Sequence, residues 1–168
     1  MTHTRIANFC PICGAPTEMH ERFGILRPVC SACGHIIFFS TSVAVLALIT
    51  DGDQVLLVQR ANDPKKGLWV TPAGFMEWDE DPAEAARREV LEETCLEVRI
   101  DRLLDVFHTP DDGGLADVVI AYAASVVGGT LQAADDAQAA AWFARDNLPE
   151  LAFLPTERIL ARWVAREL

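Results

Sequence analysis

Residues 74–96 read GFMEWDEDPAEAARREVLEETCL, and this stretch decides how the rest of the chain is interpreted. Asp81 is a favoured N-cap residue, Pro82 suits the first helical position, and Glu84 completes a capping box. The alanines and the residues that follow them favour helix. The sequence therefore predicts a helix from about Pro82 to Thr94.

Three carboxylates crowd one side of this predicted helix. Glu89 lies three and four residues before Glu92 and Glu93, a spacing that makes their side chains neighbours on the helix surface. Like charges at this spacing destabilise a helix, and a divalent cation such as Mg²⁺, which prefers oxygen ligands, would remove the repulsion. The alternative is a solvated acidic face. The glycine, the upstream glutamate and the Arg–Glu pair that accompany the cluster favour a metal site.

The same stretch resembles the Nudix box, the signature of a hydrolase family that cleaves nucleoside diphosphates linked to another group. The family pattern is G-x5-E-x7-R-E-U-x-E-E-x-G-U, where U is a bulky aliphatic residue. The positions that match are Gly74, Glu80, Arg88, Glu89, Val90, Glu92, Glu93 and Leu96. Cys95 stands where the family has a glycine that ends the helix in a left-handed turn. Cys95 must therefore tolerate that strain or end the helix differently.

The resemblance implies which residues hold the metal. Glu93 and Glu89 would be the main ligands of Mg²⁺ (or Mn²⁺), assisted by Glu92 and by a backbone carbonyl near Gly74. Hydrolysis of a phosphoanhydride requires charge neutralisation on the phosphoryl oxygens and a water positioned for in-line attack, and metal ions can do both. The box is therefore expected to be a catalytic magnesium site.

Roles for other residues near the metal follow from the same resemblance. Arg88 would orient a box carboxylate, Glu89 by preference, and Glu80 would support the metal-binding loop. The general base differs between family members and is either a box glutamate or an acidic residue of a later loop. The later candidates are Asp135 and Asp136, with Asp111 and Asp112 as second choices, and each is otherwise a solvated loop residue.

A second motif lies near the N-terminus. Two Cys-x-x-Cys pairs, Cys10 with Cys13 and Cys30 with Cys33, are separated by sixteen residues. This spacing predicts a four-thiolate zinc ribbon, in which zinc is structural because no position is left for a water. Two disulfides are the alternative, which a reducing cytosol disfavours. His35 is interpreted as a bystander because four thiolates already complete the site.

Strand and helix patterns continue on both sides of the box. Residues 43–49 and 54–60 are predicted to form a hairpin, and further strands are expected at residues 97–100, 103–107, 117–127 and 139–144. An amphipathic helix is predicted over residues 155–168. The fold class is α+β, a mixed sheet with helices on its faces, which is also the α/β/α sandwich of the family. We assign residues 1–39 to the zinc ribbon and residues 40–168 to the Nudix hydrolase domain.

Composition limits the function classes. The chain of 168 residues is 51% hydrophobic and carries a net charge of −11. This charge argues against non-specific binding to nucleic acid or anionic membranes, whereas a bound cation would reconcile it with a phosphate substrate. The longest apolar run, residues 43–49, is far too short to span a bilayer, and residues 1–10 lack the apolar core of a signal peptide. We therefore expect a cytoplasmic protein.

Substrate identity depends on weaker signals. A zinc ribbon ahead of a Nudix domain resembles the branch of pyrophosphatases that act on ADP-ribose, FAD and NADH. The NADH group carries an S-Q-P-W-P-F-P-x-S array that this chain lacks, whereas Pro110 lies near the place where ADP-ribose enzymes have a proline. Four aromatic residues are candidates to contact substrate, although each also suits the core: Trp69, Phe107, Trp142 and Phe153. Two lysines of the polar loop 62–67 could meet a phosphate or simply be solvated.

The sequence thus predicts a magnesium-dependent pyrophosphatase. It would split a nucleoside diphosphate derivative, ADP-ribose or FAD in preference to NADH, into a nucleoside monophosphate and a phosphorylated remainder. One alternative is a hydrolase that removes oxidised nucleoside triphosphates. Another is a ligand sensor whose ribbon binds nucleic acid, which the intact carboxylate cluster disfavours. A homodimer is expected because relatives pair through their N-terminal parts.

Overall fold

The structure is a computed structural model that describes residues 6–109 and 116–168. The described residues fall into two compact units, one ending at Ser40 and the other beginning at Thr41. Within these residues, none of the helices combines the length and the hydropathy that crossing a bilayer requires.

The N-terminal unit is built around a β-hairpin. Strands β1 (Thr17–Arg22) and β2 (Ile25–Cys30) pair antiparallel, with Arg22 opposite Ile25. The two residues between them, Phe23 and Gly24, both have positive φ, 55° and 74°. Positive φ at both central residues is what a two-residue type I′ turn requires, and such a turn joins the two strands here.

The C-terminal unit contains one mixed sheet and two helices. The elements are β3 (Val43–Asp51), β4 (Gln54–Arg60), β5 (Trp69–Val70), β6 (Ala73–Phe75), α1 (Pro82–Thr94), β7 (Leu96–His108), β8 (Val118–Gly129), β9 (Ala137–Ala144) and α2 (Leu154–Val164). In the sheet the strand order is β5-β4-β3-β8-β7, with β6 also paired to β3 and β9 to β4. Strands β3 and β8 are parallel, and the other pairs are antiparallel.

Strand β3 is apolar because it is covered on both faces. Leu46 belongs to the core that contains Trp163 of α2, whereas its neighbour Val45 packs with Ala85 of α1. Side chains of successive strand residues point to opposite faces, so the two helices lie on opposite sides of the sheet. The predicted α+β class and α/β/α sandwich are confirmed.

Several element boundaries differ from those that the sequence predicted, two of them substantially. The expected strands 97–100 and 103–107 form one strand, β7, whose pairing with β8 is interrupted by irregularities at residues 97/98, 100/102 and 103/105. The C-terminal helix ends at Val164 and not at residue 168. Arg166 has φ 61°, a left-handed conformation that cannot continue a right-handed helix.

Candidate active site

The local sequence around α1 fixes where its carboxylates lie. The Asp81 side chain accepts hydrogen bonds from the N–H groups of Ala83 (2.8 Å) and Glu84 (3.3 Å), which caps the helix as expected. At the other end Cys95 adopts φ 56° and ψ 19°, and its N–H donates to Leu91 O at 2.9 Å. Cys95 therefore takes the left-handed conformation of the family glycine and carries the strain of its Cβ.

Arg88 lies at the centre of a network of carboxylates. Its Nε and Nη2 donate to the two oxygens of Glu80 at 2.8 and 2.9 Å, and Nη1 donates to Glu89 at 2.8 Å and Glu92 at 2.9 Å. Nη2 also donates to the carbonyl of Phe75 at 2.9 Å. The hydrogen bonds from Arg88 lower the pKa of Glu80, and those carboxylates in turn raise the pKa of Arg88. One guanidinium thus joins α1 to the loop that precedes it.

Glu93 is the most buried carboxylate of the box. It is 4% exposed, and its Oε2 accepts a hydrogen bond from the N–H of Ala73 at 3.0 Å. Burial raises the pKa of Glu93 well above its usual value, and the negative charges of Asp136 and Glu89 add to this effect. A buried carboxylate beside two others is costly to ionise unless a cation accompanies it.

Glu89 lies directly against the backbone of Gly74. A Cβ built on Gly74 would come within 2.1–2.3 Å of the Glu89 carboxylate, so no residue with a side chain fits unless Glu89 moves. Burial raises the pKa of Glu89, and the hydrogen bond from Arg88 partly offsets that effect. A side chain at position 74 would therefore displace the Glu89 carboxylate from the place where it now lies.

The donor set around Glu89 and Glu93 fits a hard divalent cation. Glu93 is buried and Glu89 half-buried, and burial together with the charge of Asp136 raises the pKa of both, so a cation bound to their oxygens would remove the repulsion. Glu92 differs, because its side chain is 44% exposed. In the described residues, these carboxylates do not form a group whose ligand atoms all lie within 4.8 Å of one another.

The acidic residues proposed as bases occupy different positions. Asp136 lines the cleft beside α1, whereas its neighbour Asp135 is a turn residue with φ 51° that is absent from the described cleft lining. Asp111 and Asp112 lie outside the described residues. Of the two first-choice bases, Asp136 is thus the one that the fold brings towards Glu93.

A cleft of about 280 Å³ is lined by Asp136 and by Gly74, the residue that the Glu89 carboxylate approaches, whereas none of the box glutamates is among its described lining residues. Its walls come from the sheet, from the loop after β4 and from the start of α2. Lining residues include Ala44, Leu46, Val119, Arg60, Asn62, Gly74, Asp136 and Phe153. The cleft is mainly apolar, with polar groups where the loops meet, as is usual for sites that bind small molecules.

The aromatic candidates divide between this cleft and the core. Phe153 lines the cleft. Phe107 is 7% exposed within the core under α2, Trp142 packs with the core under α1, and Trp69 contacts Phe143 edge-on at 4.6 Å between ring centroids. These three are not among the described residues that line the cleft. Pro110 lies outside the described residues.

Two contributions to the site were not foreseen from the sequence. The N–H of Ala73 that binds Glu93 comes from a strand twenty residues away, and the sequence carries no signal for it. Arg60 lines the cleft from the end of β4. The sequence offers a signal for this residue, because Arg60 is an arginine at the end of an apolar strand, just before a polar loop.

The four cysteines of the N-terminal unit come together as the spacing predicted. Their Sγ atoms all lie within 4.8 Å of one another, with Cys10–Cys33 at 3.8 Å, Cys13–Cys30 at 3.5 Å and Cys13–Cys33 at 3.6 Å. These distances are far longer than a disulfide bond, and the four are free thiols. His35 is not part of the group. The arrangement fits a tetrahedral Zn²⁺ site.

Backbone N–H groups support the thiolate form of Cys30, whereas hydrogen bonds with the neighbouring thiols keep the pKa of Cys13 and of Cys33 above the usual value. Ile12 N–H points to Cys10 Sγ at 3.4 Å, and the N–H groups of Ala32 and Cys33 point to Cys30 Sγ at the same distance. The Cys33 N–H is the main cause that lowers the pKa of Cys30 to about 6. Thiolates are the form that binds zinc, so the turn prepares Cys30 as a ligand.

Comparisons with known proteins give a consistent result. The NUDIX domain family model matches residues 40–164. An ADP-ribose pyrophosphatase of Methanocaldococcus jannaschii is 40% identical over 118 residues, which are 70% of this chain and 70% of that protein. The NAD-capped RNA hydrolase NudC of Stutzerimonas stutzeri is 31% identical over 159 residues, 93% of this chain. The chain spans about half the length of that relative, 54%.

A solved structure extends the similarity to both units. The crystal structure of a NUDIX hydrolase from Nitrosomonas europaea matches with a TM-score of 0.85 and 27% sequence identity. The match covers 95% of this chain and 92% of that one.

Proposed function

The chain belongs to the NUDIX hydrolase family, and from this premise we propose that it is a magnesium-dependent pyrophosphatase of nucleoside diphosphate derivatives. ADP-ribose or FAD is the favoured substrate, and NADH is less favoured. The products are a nucleoside monophosphate and a phosphorylated remainder.

The observation that carries this proposal is the burial of Glu93 beside Glu89 and Asp136. Glu93 and Glu89 have no evident structural purpose at these positions, because burial and the neighbouring negative charges both oppose their ionisation. A cation bound by Glu93, Glu89 and the backbone near Gly74, with assistance from Glu92, would make the arrangement favourable. When bound, Mg²⁺ supplies positive charge to phosphoryl oxygens and lowers the pKa of a bound water.

The chain's own residues orient the reaction. Arg88 holds the Glu89 carboxylate on one side, and the backbone of Gly74 limits its position on the other. The carboxylate therefore has one favoured orientation. Glu80 fixes Arg88 through two hydrogen bonds. Asp136, which lines the cleft, accepts the proton of the attacking water as general base in our proposal. The water adds to one phosphorus while the bridging oxygen leaves with the other phosphate.

Two similarities support the choice of substrate. The relative with 40% identity is named ADP-ribose pyrophosphatase. The relative whose alignment includes the N-terminal unit is named NAD-capped RNA hydrolase, which keeps an NAD-linked pyrophosphate as a less favoured candidate. In both compounds the scissile bond joins an adenosine monophosphate to a second phosphorylated group.

A substrate panel tests the proposal. ADP-ribose, FAD, NADH, an NAD-capped RNA oligonucleotide and an oxidised nucleoside triphosphate are each incubated with Mg²⁺, and the products are identified. The proposal predicts AMP from ADP-ribose or FAD at a higher kcat/KM than from NADH, the capped RNA or the triphosphate. Release of pyrophosphate from the triphosphate as the dominant reaction would contradict it.

We also propose that the ribbon of residues 1–39 holds one structural zinc, that residues 40–168 form the hydrolase domain, and that the protein is a homodimer. The cluster of free thiols supports the zinc site. Elemental analysis of purified protein should return about one zinc per chain, and sedimentation equilibrium should return twice the chain mass.

A further inference from the structure

We propose that Arg60 and Lys65, which both lie against the ring of Phe153, bind a phosphate group of the substrate at the edge of the cleft. The inference rests on the proposed function, because it names residues that recognise that substrate. The Arg60 Cζ atom lies 5.0 Å from the centroid of the Phe153 ring, and Lys65 Nζ lies 5.6 Å from it. Arg60 and Phe153 line the cleft.

In the described residues, neither Arg60 nor Lys65 has an acidic partner. Six arginines of the same residues do form ion pairs. Two like charges that converge on one aromatic ring repel each other, and a bound anion would remove that repulsion.

Arg60 is held in place with part of its guanidinium free. Both of its backbone groups bind the loop. The Arg60 N–H donates to Leu68 O at 3.0 Å, and the Arg60 C=O accepts from the Gly67 N–H at 2.9 Å. The side-chain Nε donates to Pro64 O at 2.9 Å. Both Nη groups remain without a protein acceptor in the described residues. Two Nη groups in a fixed plane match the oxygens of a phosphate.

The position of this cation pair is tied to the reaction centre. Ala61, the residue after Arg60, donates its N–H to the backbone oxygen of Asp136 at 2.8 Å. Asp136 in turn lies close enough to Glu93 to raise its pKa. Among the described residues that line the cleft, Arg60 is the one cation, and the carboxylates are those of Asp63 and Asp136. A phosphate in this cleft therefore finds its positive partner at Arg60.

The loop supplies a matched control for the second cation. Lys65 and Lys66 are adjacent and both exposed, but only Lys65 is placed over the Phe153 ring in the described contacts. Changing either lysine to methionine removes the same charge from the same loop. A difference in AMP affinity between Lys65→Met and Lys66→Met would thus be due to the position of the lost charge and not to the change in net charge.

The test measures binding of AMP and of adenosine by isothermal titration, without turnover. The expected result is that Lys65→Met and Arg60→Met each weaken AMP binding by about tenfold, the effect of losing a hydrogen bond to a charged group. Lys66→Met should bind AMP like the wild type, and adenosine, which lacks the phosphate, should bind all four proteins alike. Thermal melts show whether Arg60→Met is folded. If it is not, the comparison of Lys65→Met with Lys66→Met still tests the proposal.

Two outcomes would overturn the inference. One is unchanged AMP affinity in both Lys65→Met and Arg60→Met, and the other is an equal loss of affinity for adenosine and AMP. In either case, ADP-ribose hydrolysis by the wild type would leave the proposed function standing. Conversely, weakened AMP binding in the variants of a protein that hydrolyses none of the panel compounds would support the phosphate site and refute the proposed function.

Discussion

Arg88 and Glu80 form a two-point ion pair, with Nε to Oε1 at 2.8 Å and Nη2 to Oε2 at 2.9 Å. The partners are eight residues apart, one on the helix and one in the loop before it. Because the same guanidinium also binds Glu89 and Glu92, the pair links the loop geometry to the orientation of a proposed metal ligand.

Arg88→Lys should keep the charge and lose this geometry. A lysine ammonium is a point charge that cannot bind Glu80 at two points while it also reaches Glu89. We expect kcat/KM to fall about 10–100-fold, the usual effect of changing a group that orients a metal ligand. Arg87→Lys is the control, since Arg87 binds Glu84 and the Val98 carbonyl and, in the described contacts, neither Glu80, Glu89 nor Glu92. Equal activity of the two variants would contradict the assigned role of Arg88.

Gly74→Ala should displace Glu89. The added Cβ would lie 2.1–2.3 Å from the Glu89 carboxylate, so that side chain must move. We expect the Mg²⁺ concentration needed for half-maximal activity to rise about 10–100-fold. Gly52→Ala is the matched control: its Cβ meets nothing, but φ is 57°, so it should lose stability and keep its Mg²⁺ requirement. An unchanged requirement in Gly74→Ala would show that Glu89 does not bind the metal.

Cys95→Gly should stabilise the protein. Cys95 has φ 56°, which costs a residue with a Cβ about 1–2 kcal/mol, and the greater freedom of glycine in the unfolded chain offsets part of that gain. We expect a net gain of about 0.5–1 kcal/mol, seen as a higher Tm with unchanged kcat/KM. Cys95→Ala keeps the Cβ and removes the thiol, so it should melt like the wild type. A loss of activity in Cys95→Gly would point to a role for the thiol.

Stability without Mg²⁺ should depend on pH through Glu93. Its pKa is raised in the folded state, so the unfolded chain loses this proton first as pH rises. The contribution of Glu93 is thus most favourable below about pH 4, near the pKa of an unfolded glutamate, and is lost as pH rises towards the folded pKa. Glu93→Gln does not titrate there, so its Tm should exceed that of the wild type by a margin that grows with pH.

Added Mg²⁺ provides the control for this pH effect. It should raise the Tm of the wild type more at about pH 8 than at about pH 5, because metal binding requires the deprotonated carboxylate. It should leave Glu93→Gln nearly unaffected. Parallel Tm curves for the two proteins across the pH range would contradict the burial argument.

The features that the sequence predicted well are those with local causes. Helix α1 spans Pro82–Thr94 as expected, because Asp81 caps it and Pro82 occupies its first turn. Glu84 binds Arg87 in the described contacts and does not complete the predicted capping box. The cysteine pairs meet because each pair is a short turn on either side of a hairpin. Neither prediction needed knowledge of distant contacts.

The features that could not be predicted depend on contacts between distant residues. The hydrogen bond from Ala73 to Glu93 and the approach of Asp136 arise only when β6, α1 and the loop before β9 meet. Phe153 lines the cleft while Phe107 packs in the core, although both are phenylalanines near apolar residues. Their difference lies in the strand order, which periodicity does not encode.

The central claim is that buried Glu93 serves a magnesium-dependent cleavage of a pyrophosphate bond. The most direct measurement is the rate of AMP and ribose 5-phosphate formation from ADP-ribose with Mg²⁺, for the wild type and for Glu93→Gln. The account predicts Mg²⁺-dependent formation of both products by the wild type and at least about a hundredfold loss in Glu93→Gln, with the fold retained. Turnover by Glu93→Gln at the wild-type rate would contradict it.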